Sequence, residues 1–276
     1  MQVMKNKNVF ATLLIVCTVF MNFTSCKNDE NVTASATSLT ATAGDEAQAS
    51  TINDQLLSEV NTYVSAGAQL VKPLLVSTAI PYPIVTLSNS KTTIDFGTTG
   101  FTGRHGNILK GKLIVTLDIK TNIIGSSRTI TYEGFTINGI SVTGTNKITF
   151  GGWTLTAQNP YWTIEGDNTI MLLDKKTITW KANRRLEFTA RTTNIWGENY
   201  VLTGSASGTN AEGKAYTITI KEKNPLTGST LYPYITKGSV DVTIGQSTGV
   251  IDYGTGTQDN KATLTYAGVT YEFMMK

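Results

Sequence analysis

From Lys91 onward, apolar and polar residues alternate strictly, and this two-residue period constrains the fold more than any other feature of the chain. The clearest run lies between Lys112 and Lys120, where every second residue is Leu, Val or Ile. Such alternation places the apolar side chains of a strand on one face of a sheet. The intervening residues are mostly Thr, Lys and acids, so the other face is hydrated, which is typical of antiparallel pairing.

Short glycine-containing turns separate these runs. Asn138-Gly139 lies between two apolar stretches and predicts a two-residue hairpin turn, because both of its central residues favour positive φ. Ala267-Gly268 and the loop from Asn210 to Gly213 separate other neighbouring runs in the same way. We therefore expect a sheet built mostly from sequential hairpins.

The predicted fold class is mainly β, with a single antiparallel domain over residues 91–276 and one short N-terminal helix. An antiparallel sandwich, a jelly roll and a curved β sheet all agree with the alternation, because a period reveals faces but not strand order. If the sheet curls, a helix near Leu56 could lie in its concave side and bury both apolar stripes at once. An internal echo, Ile94 to Thr98 and Ile251 to Thr255, indicates two equivalent corners of a rolled or two-layered sheet.

The segment before the β domain divides into two parts. Residues 26–50 are rich in Thr, Ala and Ser and contain few large apolar side chains, which predicts a flexible tether. Residues 51–90 begin with Thr51 and Asp54 in a pattern close to a capping box, followed by one helical apolar face ending near Gly67. Three prolines between Leu70 and Ile84 then indicate an extended connector.

Residues 1–25 have the pattern of a secretory signal peptide. Lys5 and Lys7 precede an apolar run that is too short to span a bilayer and that ends in small residues. The following Phe23-Thr24-Ser25-Cys26 resembles the lipobox of bacterial lipoproteins, in which the cysteine is acylated and becomes the mature N-terminus. Lys27-Asn28-Asp29-Glu30 is similar to the charged tag that directs such proteins to the outer face of the outer membrane.

Lipidation of Cys26 would attach the protein durably to a membrane, because each buried methylene contributes about 0.8 kcal/mol. Cys17 lies in the predicted signal peptide, so Cys26 is the only cysteine of the mature chain and no internal disulfide is expected. The formal net charge of +3 gives no indication of a nucleic-acid partner. The expected partner is therefore the outer membrane, through N-terminal acyl chains.

The β region contains several short motifs rich in glycine, threonine and charged residues. They are Thr93-Ile94-Asp95-Phe96-Gly97, Gly103-Arg104-His105-Gly106, Lys110 to Thr116, Asn138-Gly139, Val142 to Thr145, Ile251-Asp252-Tyr253-Gly254 and Asp259 to Thr263. In these motifs the chain resembles a group of outer-membrane and surface lipoproteins common in the Bacteroidota, with a lipobox and a Thr- and Gly-rich β domain. The resemblance extends over most of the segment from Pro83 to Phe273. It implies a lipid-anchored surface protein and brings no established activity.

Few residues have the chemistry of a catalytic or metal site. His105 is the single histidine, and an imidazole can act as a general base, but no nucleophile motif accompanies it, so we treat it as a ligand contact. Asp252, Asp259 and Asn260 flank a glycine-rich stretch and offer oxygen ligands for Ca²⁺, in a spacing unlike an EF-hand. We expect no cofactor and no metal, with these three oxygens as the weak calcium candidate.

Aromatic residues concentrate in the middle of the β region and could contact a glycan or a protein ligand. Trp180 alternates with Ile178, so it is expected in the core. A basic section from Lys175 to Arg191, which includes Arg184 and Arg185, predicts a solvated outer face. The candidates for ligand contact are Trp153, Tyr161, Trp162 and Trp196, together with His105.

These features predict a lipid-anchored envelope or surface protein with a non-enzymatic binding or structural role. One alternative is an adhesin or pilin-like subunit, which requires an exchangeable terminal strand. Another is a glycan hydrolase, which requires two carboxylates near exposed aromatics, drawn from acids such as Glu133, Glu165, Asp167, Asp174 and Glu187. A third is a lipid or lipoprotein carrier, which requires a continuous apolar groove.

Overall fold

A computed structural model describes residues 27–66, 83–118, 123–190 and 199–275. Within these ranges one helix, α1 (Lys27–Ala66), precedes fifteen strands. The signal peptide, Cys26 and residues 67–82 lie outside the described residues. The strands are β1 (Ile84–Ser88), β2 (Lys91–Asp95), β3 (Phe101–Thr102), β4 (Ile108–Asp118), β5 (Ser127–Ile137), β6 (Ile140–Trp153), β7 (Pro160–Met171), β8 (Thr177–Ala190), β9 (Asn199–Thr209), β10 (Ala215–Ile220), β11 (Leu226–Ser229), β12 (Lys237–Ile244), β13 (Ser247–Thr255), β14 (Lys261–Tyr266) and β15 (Val269–Met274).

All fifteen strands belong to one antiparallel sheet in which chain neighbours are almost always spatial neighbours. Its order is β1-β2-β4-β5-β6-β7-β8-β9-β10-β12-β13-β14-β15, while β3 pairs with β4, and β11 bridges β9 and β12. The predicted hairpins are confirmed: Ile137 pairs with Ile140 across a turn in which Asn138 and Gly139 both have positive φ. The curved β sheet is therefore the right choice among the three predicted architectures.

The prediction of a flexible tether over residues 26–50 is wrong. Helix α1 begins at Lys27, and most of its described side chains from Thr42 onward are buried inside the domain, so it is also much longer than the short helix expected. Small residues such as Ala43 and Ala47 let the helix backbone approach the sheet closely, so the segment needs few large apolar side chains. Four of its threonines, Thr37, Thr40, Thr42 and Thr62, donate to the carbonyl four residues earlier. The bond from Thr42 to Ser38, at 2.8 Å, satisfies a hydroxyl that is buried away from water.

The sheet wraps around this helix. Residues on several sides of α1 are buried, including Leu39, Thr42, Glu46, Asn53 and Val60. The helix packs against β8 and against β12 to β15, and it forms a side-chain hydrogen bond to β6. The suggestion that a helix fills the concave side of a curled sheet is therefore confirmed.

The β region also starts earlier than predicted, because β1 lies within the expected connector and pairs with β2 in five successive residue pairs. A proline-containing segment can still enter an edge strand, since such a strand pairs on one side alone. Among the described residues, no helix is long and apolar enough to cross a membrane.

The two copies of the internal echo form matching corners. Asp95 accepts a hydrogen bond from the Gly97 amide at 2.8 Å, and Asp252 accepts one from the Gly254 amide at 2.7 Å. Both glycines have positive φ, which most side chains disfavour. The aromatic residue between acid and glycine is buried in each copy, so each motif turns the chain while it anchors the strand end in the core.

Candidate functional site

The structure brings two of the predicted aromatic residues into one continuous row. Trp153 contacts Phe150 with ring centroids 4.9 Å apart, and Phe150 contacts Trp162 at 5.3 Å. Trp162 contacts Phe188 at 5.4 Å, and Phe188 contacts Tyr200 at 6.3 Å. Trp153 is 44 % exposed at one end of this aromatic row, while Phe188 and Tyr200 are buried at the other.

Tyr161 lies apart from the aromatic row. It is adjacent in sequence to Trp162, so it points to the opposite face of β7. There the Arg185 guanidinium stacks on its ring at 3.7 Å, and Gly151 leaves the space that the ring occupies. Tyr161 therefore belongs to the outer surface of the sheet. Trp196 lies outside the described residues.

A half-open cleft lies next to the inner end of the aromatic row, between α1, strands β7 to β9 and the segment after β11. We call it the Asp54 cleft. The space open to the centres of water molecules is about 40 Å³, which is room for a few waters or a small chemical group. Its lining combines apolar and aromatic groups with several polar ones: Asp54, Gln55, Leu57, Ser58, Asn61, His105, Ile164, Leu186, Phe188, Tyr200, Ser229, Thr230, Tyr232 and Pro233.

Four titratable groups that line the cleft have perturbed pKa values, and two of them, Asp54 and His105, titrate near neutral pH, whereas burial raises the pKa of Tyr200 and Tyr232. Burial raises the pKa of the Asp54 carboxyl to about 6; the Arg184 charge opposes this rise and the Glu46 charge adds to it. Burial also lowers the pKa of His105, with a further contribution from the Arg104 charge. At neutral pH the lining of the cleft therefore includes one carboxylate and one neutral imidazole. His105 was predicted as a ligand contact, whereas Asp54 was assigned to a helix cap.

A fully buried ion pair lies deeper in the domain. Glu46 on α1 receives the Arg184 guanidinium at 2.7 Å on one oxygen, and Trp180 Nε1 and the Tyr216 hydroxyl donate to the other at 3.1 and 3.0 Å. Arg184 also donates to the Ser50 hydroxyl at 2.6 Å. Burial raises the pKa of the Glu46 carboxyl, and these donors oppose that rise. We call this set the Glu46 network.

The prediction that Arg184 lies on a solvated face is wrong. It shares the inward parity of Ile178 and Trp180 along β8, and it is 3 % exposed. A charged residue at an apolar position of an alternating strand was the available signal, because such a charge needs a buried partner. No local pattern identifies Glu46 as that partner, since the Thr-, Ala- and Ser-rich segment around it predicts a flexible tether.

The geometry bears on the enzymatic and carrier alternatives. Asp54 is the one carboxylate among the described residues that line the cleft, so the acid pair of a glycosidase is not found there. The side chains of Glu133, Asp167 and Asp174 are more than half exposed and take part in surface ion pairs. The concave side, where a carrier needs an apolar groove, is filled by α1.

The calcium candidates make local turn contacts. Asp252 accepts from the Gly254 amide, and Asp259 accepts from the Lys261 amide at 3.0 Å. Asn260 donates to the Met275 carbonyl at 3.3 Å. In the part of the chain that the structure describes, no group of three or more His, Cys, Asp or Glu residues is arranged to hold a metal ion.

Comparison with known proteins adds no relative to these observations. No family model matches the chain, and no curated protein and no solved structure matches it. The functional argument therefore depends on the sequence and on the geometry of the cleft and the aromatic row.

Proposed function

We propose that this protein is a lipid-anchored protein of the cell envelope, held at the surface of the outer membrane through Cys26, with a non-enzymatic binding or structural role. The observation that carries the proposal is the position of Cys26 directly before α1, the helix around which the whole sheet is folded. An anchor at this position acts on the core of the domain and not on a loose tail.

The helix sets the distance between the anchor and the folded domain. Ala36 is the first buried residue among the described side chains of α1, and the helical segment from Lys27 to Ala36 extends about 15 Å at 1.5 Å per residue. The helix enters the sheet near the β9–β10 turn, where Ser38 contacts Lys214 at 3.0 Å and Thr42 contacts Asn210 at 2.8 Å. Acyl chains on Cys26 would therefore hold that end of the sheet towards the membrane.

The aromatic row lies at the other ends of the strands. Trp153 ends β6 at the β6–β7 turn, and the register of β7 to β9 places this turn opposite the β9–β10 turn. Phe188 and Tyr200 lie near the same end. A protein anchored at Cys26 would therefore present Trp153 and the Asp54 cleft away from the lipid surface, where a ligand can reach them.

Acyl labelling of intact cells tests the anchor. Wild type and Cys17→Ala should incorporate labelled fatty acid, and Cys26→Ala should not, because Cys17 is removed with the signal peptide. Cys17→Ala is the matched control, since it also removes one cysteine from the precursor. Labelling that survives in Cys26→Ala would contradict the proposal.

Surface proteolysis of the same cells tests the location. Protease added to intact cells should digest the protein if it faces outward. Complete protection in intact cells, with digestion after lysis, would place the domain on the inner side of the membrane and contradict the surface assignment.

A second candidate function, an adhesin or pilin-like subunit, is favoured by the position of the last strand. β15 forms one edge of the sheet, and Val269 and Met274 on it are each 48 % exposed. An edge strand offers unpaired backbone groups to another chain. This candidate predicts a ladder of polymers in mild SDS gels that Val269→Lys reduces, and a single monomer band at high protein concentration would contradict it.

A further inference from the structure

We propose that the Asp54 cleft binds a small organic cation, such as the ammonium group of a quaternary or primary amine. The proposal gives a ligand class to the binding role inferred above. It does not depend on lipidation, because the cleft is formed entirely by the folded domain.

Charge is the first argument for a cation. Asp54 is the one formally charged group at neutral pH among the described residues that line the cleft, and none of those residues is lysine or arginine. Its carboxylate has no hydrogen bond or ion pair with any described residue. A partly buried carboxylate without a partner pays the cost of desolvation, and a bound cation would offset that cost.

Among the described side chains of α1, the other acids do have hydrogen-bond donors, so the lack of a donor to Asp54 is unusual within this helix. Glu46 receives three donors, as described above, and Glu59 accepts a hydrogen bond from the Arg104 backbone amide at 2.5 Å. Arg104 also donates to Ser58 at 3.3 Å. Arg184 is the arginine whose charge acts on the pKa of Asp54, but its guanidinium donates to Glu46 and Ser50 and makes no ion pair with Asp54.

Aromatic rings provide the second argument. Phe188, Tyr200 and Tyr232 line the cleft together with Asp54. The face of an aromatic ring attracts a cation within about 6 Å, and aromatic groups beside a carboxylate are a known way to bind alkylated ammonium ions. The apolar Ile164 and Leu186 would contact the methyl or methylene groups of such a ligand.

Polar acceptors and size complete the argument. The Thr230 hydroxyl is buried and has no hydrogen-bond partner among the described residues, although it lines the cleft. Ser229, Asn61 and the neutral His105 offer further acceptors for N–H groups. About 40 Å³ suits a head group of a few heavy atoms better than a complete sugar ring, and the open side leaves space for the rest of the molecule.

The experiment is a calorimetric titration of the full chain in non-ionic detergent. Choline and ethanolamine are the cationic probes, and 3,3-dimethylbutan-1-ol, the uncharged analogue of choline in shape, is the control ligand. We expect saturable binding of at least one cation and at least about tenfold weaker binding of the neutral analogue, because it cannot pair with the carboxylate.

Two variants locate the binding. Asp54→Asn keeps the size of the side chain and removes its charge, so it should weaken cation binding by at least about tenfold. Asp167→Asn is the matched control, because this acid is exposed on the sheet and paired with Lys181, and it should bind as wild type does. Circular dichroism and the unfolding midpoint would show that both variants are folded.

Three results would overturn the proposal: binding of neither cation, equal binding of choline and its neutral analogue, or unchanged affinity in Asp54→Asn. None of these depends on the anchor, so failure of the cation site and failure of the lipoprotein assignment are distinguishable. Acyl labelling of Cys26 reports on the second alone.

Discussion

Glu46 and Asp54 are two acids on one helix, about two turns apart, and both lie within the field of Arg184. Both carboxyls have a raised pKa, with burial as the largest cause. Glu46 receives donors on both oxygens from β8 and β10, whereas Asp54 faces a cleft and receives none from the described residues. The same helix therefore contains one acid whose burial the protein compensates and one whose burial it does not.

The difference separates a structural role from a binding role. A buried charge with several donors fixes the position of the helix inside the sheet, because any shift would break these bonds. A buried charge without donors does not fix the position of the helix, and its desolvation lowers the stability of the ligand-free protein. Such a cost is understandable where an external group can occupy the vacant position, which is why Asp54 and not Glu46 is assigned to ligand binding.

The largest expected effect is the loss of the partner of Glu46. Arg184→Met retains most of the side-chain length but leaves Glu46 buried without its counter-ion, which should lower the free energy of unfolding by about 3 to 5 kcal/mol. Denaturant unfolding followed by circular dichroism measures this loss. Arg185→Met is the matched control: that residue is adjacent but lies on the outer face, stacked on Tyr161, and its loss should cost about 1 kcal/mol or less.

Equal losses in the two arginine variants would contradict the comparison. They would mean that the Glu46–Arg184 pair contributes no more to the free energy of unfolding than a surface contact does. The desolvation cost of burying Glu46 would then be offset no better than that of Asp54. The assignment of a structural role to one acid and a binding role to the other would then have no basis.

The second prediction is a gain in the free energy of unfolding, obtained by removing the charge of Asp54. The pKa of Asp54 is raised from its ordinary 3.8 to about 6, so the folded state holds its proton more tightly than the unfolded state does. The resulting stability is fully present below the ordinary pKa and is lost as the pH rises through the folded value. Asp54→Asn removes this loss, and the two pKa values limit the gain at neutral pH to about 3 kcal/mol.

Denaturant unfolding of wild type and Asp54→Asn across this pH range provides the measurement. The two proteins should have similar stability below about pH 3.8, should diverge between that pH and about 6, and should keep a constant difference above it, with the variant the more stable. The charges of Arg184 and Glu46 act on the pKa of this carboxyl, so their effect is already contained in the predicted difference between the two proteins. A variant that is less stable than wild type at neutral pH would show that Asp54 has a partner after all.

The sheet and the second half of the helix could be predicted from the sequence, and the first half of the helix could not. Alternation from Leu113 onward and turns such as Asn138-Gly139 are local signals, and the hairpins they predict depend on residues close in the chain. The segment around Ala43 has no local signal of burial, because its small and polar residues become a core helix only when the sheet surrounds them. This tertiary effect reversed the prediction of a tether.

The same distinction explains which site residues were found. His105 and Trp162 have a chemistry that identifies them in any sequence, and the structure places one in the cleft and the other in the aromatic row. The sequence pattern assigns Asp54 to a helix start. Its place in a cleft depends on Phe188 and Tyr200, which are far away in the chain. Distances between such residues follow from the curling of the sheet, and no local pattern contains them.

The third prediction compares two tyrosines that face the two acids. The Tyr216 hydroxyl donates to Glu46 at 3.0 Å, so Tyr216→Phe removes a hydrogen bond to a charged group and should cost about 2 kcal/mol. The Tyr200 hydroxyl has no hydrogen bond to a described residue, so Tyr200→Phe should change the unfolding free energy by less than about 0.5 kcal/mol. Unfolding curves of both variants give the difference, and similar costs would contradict it.

The smallest effect concerns His105, which tests whether the cleft is as desolvated as its lining indicates. As the single histidine, it gives one set of imidazole resonances in an NMR titration of the untagged chain. Burial is the larger cause of its lowered pKa and the Arg104 charge is the smaller, so the midpoint should lie below 6.5. Arg104→Gln should raise that midpoint only part of the way, because burial remains.

Since the folded pKa is the lower one, His105 contributes stability above its unfolded pKa that is lost as the pH falls through the folded value, opposite in sign to Asp54. A midpoint at or above 6.5 in wild type would mean that water reaches the imidazole freely, and the Asp54 carboxylate in the same cleft would then need no ligand to offset its burial.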